Sequence, residues 1–174
     1  TCAWYGDTAN YYNGLQQLAN MEEFHKSHAM GFHIADPKTV WQEYTDNYFM
    51  MDTFYRAFHK NYSESVNIYN TNLQDKFIPV MERVEAIYSN WYLGQLGANW
   101  SNVVEDDLRD YGYVKGIDRQ TDCYNRKIKN AGSKMFVIIS DALRYEVAAS
   151  LSEQLQRENH CQVKLSSMQA VFPT

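Results

Sequence analysis

Apolar side chains recur every three or four residues through the first two thirds of the chain, which is the period of helices packed on one face. The clearest helix start is Asp36-Pro37, because aspartate caps helix N-termini and proline suits the first turn. The stripe that follows consists of Trp41, Tyr44, Tyr48, Met51, Tyr55 and Phe58. Its regular spacing predicts a helix with a packed aromatic face.

Two more helices are predicted before and after this one. Asp7 or Thr8 can cap the first helix, which is expected to end near Gly31. Its apolar positions are Tyr11, Leu15, Leu18 and Met21. The later helix carries a stripe of Leu73, Phe77, Val80, Val84, Ile87 and Trp91. Pro79 should lie in its first turn or kink it, because proline lacks the backbone donor that a helix interior uses.

Glycines then interrupt the helical pattern. Gly94 and Gly97 are expected to loosen the chain before a short helix over residues 100–108. The glycine- and tyrosine-containing run 111–116 is typical of a loop, and a domain boundary is expected there. The pattern therefore predicts a helical domain over residues 1–116.

A connecting helix is predicted over residues 117–133. Asp118 can cap this helix, and Gly132 is expected to end it. Tyr124 and Ile128 are spaced to lie together on its buried face. This helix leads into a segment with a different hydrophobic pattern.

The pattern changes at Lys134 from helical spacing to short apolar runs. Residues 135–139 are apolar and partly β-branched, as in a strand buried on both faces of a parallel sheet. A helix over 142–158 and an alternating run over 162–171 follow, so the order is that of a right-handed βαβ unit. The predicted fold is mostly α followed by a partial α/β unit, with residues 134–174 as the first βαβ of its domain.

Composition narrows the classes of function. The 174 residues carry a formal net charge of −5, which gives no general attraction to nucleic acid or anionic lipid. The longest apolar run, 135–139, is too short to span a bilayer. Cys2, Cys123 and Cys161 are widely spaced and are interpreted as free thiols. We expect a cytoplasmic protein, and the lack of an initiator methionine indicates a fragment.

Asp141 directly follows the first predicted strand. In open α/β sheets ligands bind beyond the carboxyl ends of the strands, and carboxylate oxygens suit a divalent metal. Aspartate after a strand also commonly caps the next helix. From spacing alone, both a metal-binding role and a capping role stay open.

Arg144 and Glu146 follow on the first predicted turn of the next helix. They could contact a substrate or support the ligand residues. The simpler interpretation is a surface ion pair or a cover for the sheet edge, since exposed pairs are common on helices. Glu146 near a helix N-terminus also suits the helix dipole.

Two other groups of residues could bind ligands. His25, His28 and His33 cluster at the end of the first helix, but no carboxylate or thiol accompanies them at clear ligand spacing. The tryptophan and tyrosine stripes could stack on nucleobases, but basic residues largely do not interleave with them. Their helical period favours core packing.

Residues 136–146, with the sequence FVIISDALRYE, and residues 165–174, with the sequence LSSMQAVFPT, form a two-part motif. The motif resembles the opening of the PglZ domain of BREX and related phage-defence systems. The resemblance implies a fold of the alkaline phosphatase superfamily, whose members hydrolyse phosphate or sulfate esters with two metals, commonly zinc. It implies that Asp141 is a metal ligand and that Thr174 lies near a nucleophile just beyond the last residue.

The resemblance further implies that the full-length protein is a metal-dependent phosphoric ester hydrolase. One aspartate cannot supply the nucleophile, cations and ligands that phosphoryl transfer needs, so we expect this chain alone to be inactive and to bind no zinc tightly. The implied partners are other defence proteins, such as the BREX methyltransferase.

Two alternatives remain. The metal site could be degenerate and the protein a scaffold whose aromatic helices dock its partners. The βαβ unit could instead belong to a receiver or Rossmann domain, although no glycine-rich turn follows Ile139 to hold a pyrophosphate.

Overall fold

The computed structural model describes residues 5–66, 71–129, 132, 134–141, 143–159 and 161–170. Helices dominate this part of the chain: α1 Tyr5–Ser27, α2 Pro37–Glu43, α3 Phe49–Val66, α4 Thr71–Glu85, α5 Gly94–Tyr111 and α6 Tyr145–Asn159. The π-helical segment Tyr44–Tyr48 joins α2 to α3, and Ala86–Leu93 joins α4 to α5. Each pair therefore forms one continuous helical rod.

The predicted start of the second helix is confirmed. The Asp36 carboxylate accepts hydrogen bonds from the Thr39 backbone nitrogen at 2.8 Å and from its hydroxyl at 2.7 Å. Pro37 occupies the first helical position, where a missing backbone donor has no cost. By contrast, α1 begins at Tyr5, upstream of the caps predicted at Asp7 or Thr8.

The helical bundle is formed by α1, α3, α4 and the segment Ala86–Leu93, with α1 packed most extensively against α3. Tyr55 and Tyr88 stack inside it, with 3.7 Å between ring centroids. The buried core consists of Met21, Phe24, Phe32, Val40, Tyr48, Met51, Phe58, Phe77, Val84, Ile87, Tyr88, Tyr92 and Leu96. Most of the predicted stripes thus pack in the core.

The helix break predicted at Gly94 and Gly97 is wrong, because both glycines lie inside α5. A glycine costs roughly 1 kcal/mol relative to alanine in a helix, and the burial of Leu96 between them offsets that cost. The helix ends at Gly112, whose positive φ of 72° places its amide 2.9 Å from the Leu108 carbonyl. The loop expected after residue 111 is therefore confirmed.

Pro79 lies in the interior of α4 and not in its first turn. Downstream, the connecting helix predicted over 117–133 is shorter in its described part and consists of a 3₁₀ segment, Gln120–Asp122, followed by a π-helical segment, Tyr124–Ile128. Gln169 explains the change, because its amide bonds to the Asp118 carbonyl at 2.8 Å and its carbonyl accepts from the Gln120 amide at 2.9 Å. This pairing holds residues 118 and 119 out of a helix.

The predicted strand over 135–139 is not formed in this structure. Phe136, Ile138 and Ile139 are 80%, 92% and 90% exposed, and within the described residues this segment pairs with no strand. A parallel strand is stable only between neighbours that complete its hydrogen bonds and cover both its faces. The alternating run 162–171 likewise forms only the parallel bridge between Arg119 and Gln169 in its described part.

Helix α6 is the predicted helix of the βαβ unit, although it begins at Tyr145 and not at residue 142. It packs on α3, so the helical bundle supports the segment that the sequence assigned to the next domain. No described helix is both long enough and apolar enough to cross a membrane.

Candidate functional site

Arg144 lies where α6 meets the helical bundle. Its Nη2 donates to Asp52 Oδ1 at 3.0 Å and to the Tyr88 hydroxyl at 3.1 Å. Its Nε lies 3.2 Å from Glu146 Oε1. One guanidinium therefore links a carboxylate of α3 to a carboxylate of α6, a geometry that the planar fork of arginine suits.

Asp52 is only 3% exposed and is surrounded by hydrogen-bond donors. It accepts from the hydroxyls of Tyr88 at 2.5 Å and Tyr44 at 2.9 Å. The Tyr92 hydroxyl lies 3.4 Å from Asp52 Oδ2 and 2.9 Å from the Tyr48 carbonyl oxygen. The shorter distance indicates that Tyr92 donates its hydrogen bond mainly to Tyr48. The three close donors, Tyr88, Tyr44 and Arg144, offset the cost of burying the Asp52 carboxylate.

The tyrosine hydroxyls remain protonated donors at neutral pH. Burial, followed by the hydrogen bond to Asp52, raises the pKa of Tyr88 to about 12. Burial and the Asp52 charge also raise the pKa values of Tyr44 and Tyr92. Contact with Tyr88, together with the two carboxylates, raises the pKa of Arg144, so the guanidinium keeps its charge.

Glu146 is fully buried, and within the described part of the chain neither carboxylate oxygen has a hydrogen bond of good geometry. Its charge is met by Arg144 at 3.2 Å and by Arg56 at 3.9 Å. A buried carboxylate is costly without such cations. The interpretation of a surface pair is therefore wrong for Glu146, whereas the Arg144 side chain is 54% exposed.

A cavity of about 350 Å³ opens beside this cluster, between α2, α5 and the start of α6. Its walls include the rings of Trp41, Tyr44, Tyr92 and Trp100, and Asp52 and Arg144 also line it. The rings of Trp41 and Trp100 lie 6.0 Å apart and are tilted by 42°. Trp41 and Tyr44, at the start of the second aromatic stripe, therefore line the cavity as well as packing against the core.

A second buried contact connects residues 161–170 to the loop that follows α5. The Gln169 side chain is a clamp: its Oε1 accepts from the Val114 amide at 2.8 Å, and its Nε2 donates to the Val114 and Ile117 carbonyls, each at 2.7 Å. Nearby, the Trp41 indole donates to the Ser167 hydroxyl at 2.9 Å. Both ends of the α6 region are thus fixed to the preceding helices by polar contacts.

Sequence reasoning missed Asp52 and Gln169. Asp52 carried a signal, because it lies one turn after Tyr48 on the packed face of a helix, where an acidic residue is unusual. Gln169 carried none, since a glutamine in an alternating run is equally consistent with a solvent-facing position.

Asp141 is exposed at the end of the 134–141 segment. Within the described residues, no group of three or more His, Cys, Asp or Glu side chains is placed to hold a metal ion. The donor set present here therefore does not fit a metal centre, and metal binding by Asp141 stays a prediction. Thr174 lies outside the described residues.

The three histidines of the first helix region make separate contacts. His28 stacks on Phe24 with 4.2 Å between ring centroids, and His25 packs against Trp91 at 4.4 Å. His33 Nε2 lies 2.7 Å from the Met30 carbonyl. These contacts favour roles in packing and capping.

Residues 123–174 match the family model described as the BREX system PglZ alkaline phosphatase-like domain. The chain is 34% identical over 173 residues to the alkaline phosphatase-like protein BrxZ of Escherichia coli O9:H4 (strain HS), covering 94% of the chain and 19% of that protein. It is 31% identical over 176 residues to the alkaline phosphatase-like protein PglZ of Bacillus cereus (strain H3081.97), covering 98% and 20%. The chain thus spans about a fifth of the length of these curated relatives. No solved structure matches it.

Proposed function

Because residues 123–174 belong to the PglZ family of BREX alkaline phosphatase-like domains, we propose that this chain is the segment of a cytoplasmic phage-defence protein that anchors the phosphatase-like domain on a helical bundle. The observation that carries this proposal is the contact of Arg144 with the buried carboxylates of Asp52 and Glu146. It joins α3 of the bundle to a helix inside the family-matched residues.

Energetics support a permanent anchor. Asp52 and Glu146 are 3% and 0% exposed, so both carboxylates depend on the donors and cations beside them. Arg144 itself is 54% exposed, so we expect its removal to cost the roughly 1–3 kcal/mol of leaving a buried acceptor without its partner. The Gln169 clamp adds buried hydrogen bonds at a second point. The bundle and the start of the PglZ domain therefore behave as one unit.

The full-length protein is proposed to be a metal-dependent hydrolase of phosphoric esters, with zinc as the expected metal and Asp141 as one ligand. The printed names of both relatives, alkaline phosphatase-like proteins, support this proposal. The nucleophile is expected near Thr174, and the remaining ligands in the part of the relatives that this chain does not span. The chain alone is expected to be inactive.

The predicted strands are part of the same proposal. Residues 136–139 expose one aromatic and three β-branched side chains, each at least 55% exposed. Such a run gains stability when strands on both sides cover it. We expect residues 135–139 and 162–171 to pair within the complete sheet and to bring Asp141 to its edge.

Hydrolysis of bis-p-nitrophenyl phosphate by the full-length protein, with and without added zinc, tests the activity. Asp141→Ala should lower the zinc-dependent rate by about a hundredfold or more and leave the circular dichroism spectrum unchanged, because Asp141 is exposed. Asp110→Ala, which changes another exposed aspartate, is the matched control. An unaltered rate in Asp141→Ala would remove this residue from the mechanism.

A scaffold for other defence proteins, such as the BREX methyltransferase, is the second candidate. It is favoured by apolar side chains exposed on the bundle, including Met30 at 86% and Ile78 at 55%. Co-purification of partners that survives Asp141→Ala and is lost on deleting residues 1–115 would support the scaffold. Partners retained after that deletion would contradict it.

A further inference from the structure

The cavity beside Arg144 is lined by aromatic rings that also pack against the core. Trp41, Tyr44 and Trp100 are only partly buried, and their rings form much of the wall. The volume of about 350 Å³ is within the range typical of small-molecule sites, roughly 300–1,000 Å³. Aromatic walls of this kind favour a planar ring, which stacks on them and excludes water.

The polar groups of the cavity present donors rather than acceptors. Both oxygens of Asp52 already accept hydrogen bonds from tyrosine hydroxyls and Arg144. Arg144 instead retains capacity: its side chain is 54% exposed, and among the described residues its Nη1 has no hydrogen-bond partner. A ligand therefore meets guanidinium N–H groups, which pair best with an anionic oxygen.

The charges beside the cavity determine whether an anionic ligand is selected by long-range attraction or by direct hydrogen bonds. Asp52 and Glu146 are balanced by Arg144 and Arg56, so the cluster has no net charge when all four groups are ionised. Long-range electrostatic attraction therefore does not favour an anion here. Its binding depends on direct hydrogen bonds from Nη1 of Arg144. A ligand without an anionic group would gain only the stacking.

We propose that this cavity is a binding site for a flat aromatic anion, whose ring stacks against Trp41 and Trp100 while its anionic group pairs with Arg144. A nucleotide combines both features and is the probe of choice. The site lies between the bundle and the family-matched residues, so its occupant contacts both. The inference does not depend on hydrolysis, because it concerns binding at a place separate from Asp141.

Calorimetric titration of the full-length protein with adenosine monophosphate tests this site. The buffer contains EDTA, so that metal-dependent binding elsewhere is silenced. Adenosine, which lacks the anion, and inorganic phosphate, which lacks the ring, are titrated separately. We expect each to bind at least about tenfold more weakly than the nucleotide. Adenosine binding as tightly as adenosine monophosphate would overturn the role of Arg144.

Two glycines of α5 provide a matched pair of variants. Gly97 lines the cavity and Gly94 does not, and a Cβ atom added at either position meets no atom within 4 Å. Gly97→Leu should fill the cavity and weaken nucleotide binding by about tenfold or more, whereas Gly94→Leu should leave it unchanged. Both variants should fold, because leucine favours a helix over glycine.

Binding that is equal in Gly97→Leu and the unmodified protein would overturn the site, as would no binding to the unmodified protein. A single-stranded oligonucleotide with a terminal phosphate distinguishes the sources of the ligand. In one outcome, the oligonucleotide competes with adenosine monophosphate for the unmodified protein and fails to do so for Gly97→Leu. That result supports the site and identifies the end of a nucleic-acid strand as its ligand. Nucleotide binding without such competition supports the site and assigns a free nucleotide.

Discussion

The guanidinium of Arg144 donates a 3.0 Å hydrogen bond to the carboxylate of Asp52, although 92 positions separate the two residues along the chain. Asp52 belongs to the helical bundle, and Arg144 belongs to the residues that match the PglZ family model. The contact therefore makes the stability of the bundle depend on the start of the next domain. This dependence can be measured.

Arg144→Met should lower the free energy of unfolding by about 1–3 kcal/mol, because it leaves the buried carboxylates of Asp52 and Glu146 without their shared cation, while solvent reaching the exposed Arg144 position screens part of the loss. Denaturant titration gives the value. Arg109→Met is the control: its ion pair with Asp106 is exposed, so a change below about 1 kcal/mol is expected. Equal effects of the two variants would contradict a buried network.

A double-mutant cycle separates the pair from its surroundings. The loss of unfolding free energy in the double variant Asp52→Asn, Arg144→Met should be smaller than the sum of the losses in the two single variants. The reason is that either single change already removes the contact between the two side chains. The same denaturant titrations supply the coupling energy. Strict additivity would mean that the Asp52 and Arg144 contact contributes no stability.

Gln169→Leu should loosen the loop before residue 120. The change leaves the amide and carbonyl of Val114 and the carbonyl of Ile117 without their buried partner, and each such group costs about 1–3 kcal/mol. Faster hydrogen exchange at the Val114 amide is the direct measurement. Gln154→Leu, on the exposed face of α6, should leave that amide protected. Unchanged exchange in Gln169→Leu would show that the clamp is dispensable.

Stability should fall at alkaline pH. The folded pKa of Tyr88 is raised from 10.0 to about 12, so its stabilising contribution is complete below pH 10 and is lost as the pH rises towards 12. Burial, followed by the hydrogen bond to Glu85, raises the pKa of Tyr55 to about 12, which acts in the same direction. Denaturant midpoints measured across this range should decrease, and less steeply in Tyr88→Phe. A flat profile would contradict the buried hydroxyls.

Ile138→Ser tests whether residues 135–139 become a strand in the complete protein. In the chain of 174 residues Ile138 is 92% exposed, so the substitution should leave the unfolding free energy within about 0.5 kcal/mol. In the full-length protein the loss should reach about 2 kcal/mol or more, as for a buried apolar side chain. Phe58→Ala, at a fully buried position, should cost about 3–5 kcal/mol in both. A neutral Ile138→Ser in the full-length protein would rule out a buried strand.

The sequence by itself determined the features that depend on local spacing. The cap at Asp36, the aromatic stripe with Phe58 in the core and the loop over residues 111–116 follow from helix period and backbone chemistry. The two-part motif of residues 136–146 and 165–174 also indicated the PglZ family, which the family match confirms.

Only the tertiary structure decided which polar residues meet. The contacts of Asp52 with Arg144 and of Gln169 with Val114 join positions far apart in the chain, so no local pattern encodes them. Gly97 stays helical because the burial of its neighbour Leu96 offsets its poor propensity. The run 135–139 shows the converse: its pattern is that of a strand, but a strand is stabilised by its neighbours in a sheet rather than by its own sequence.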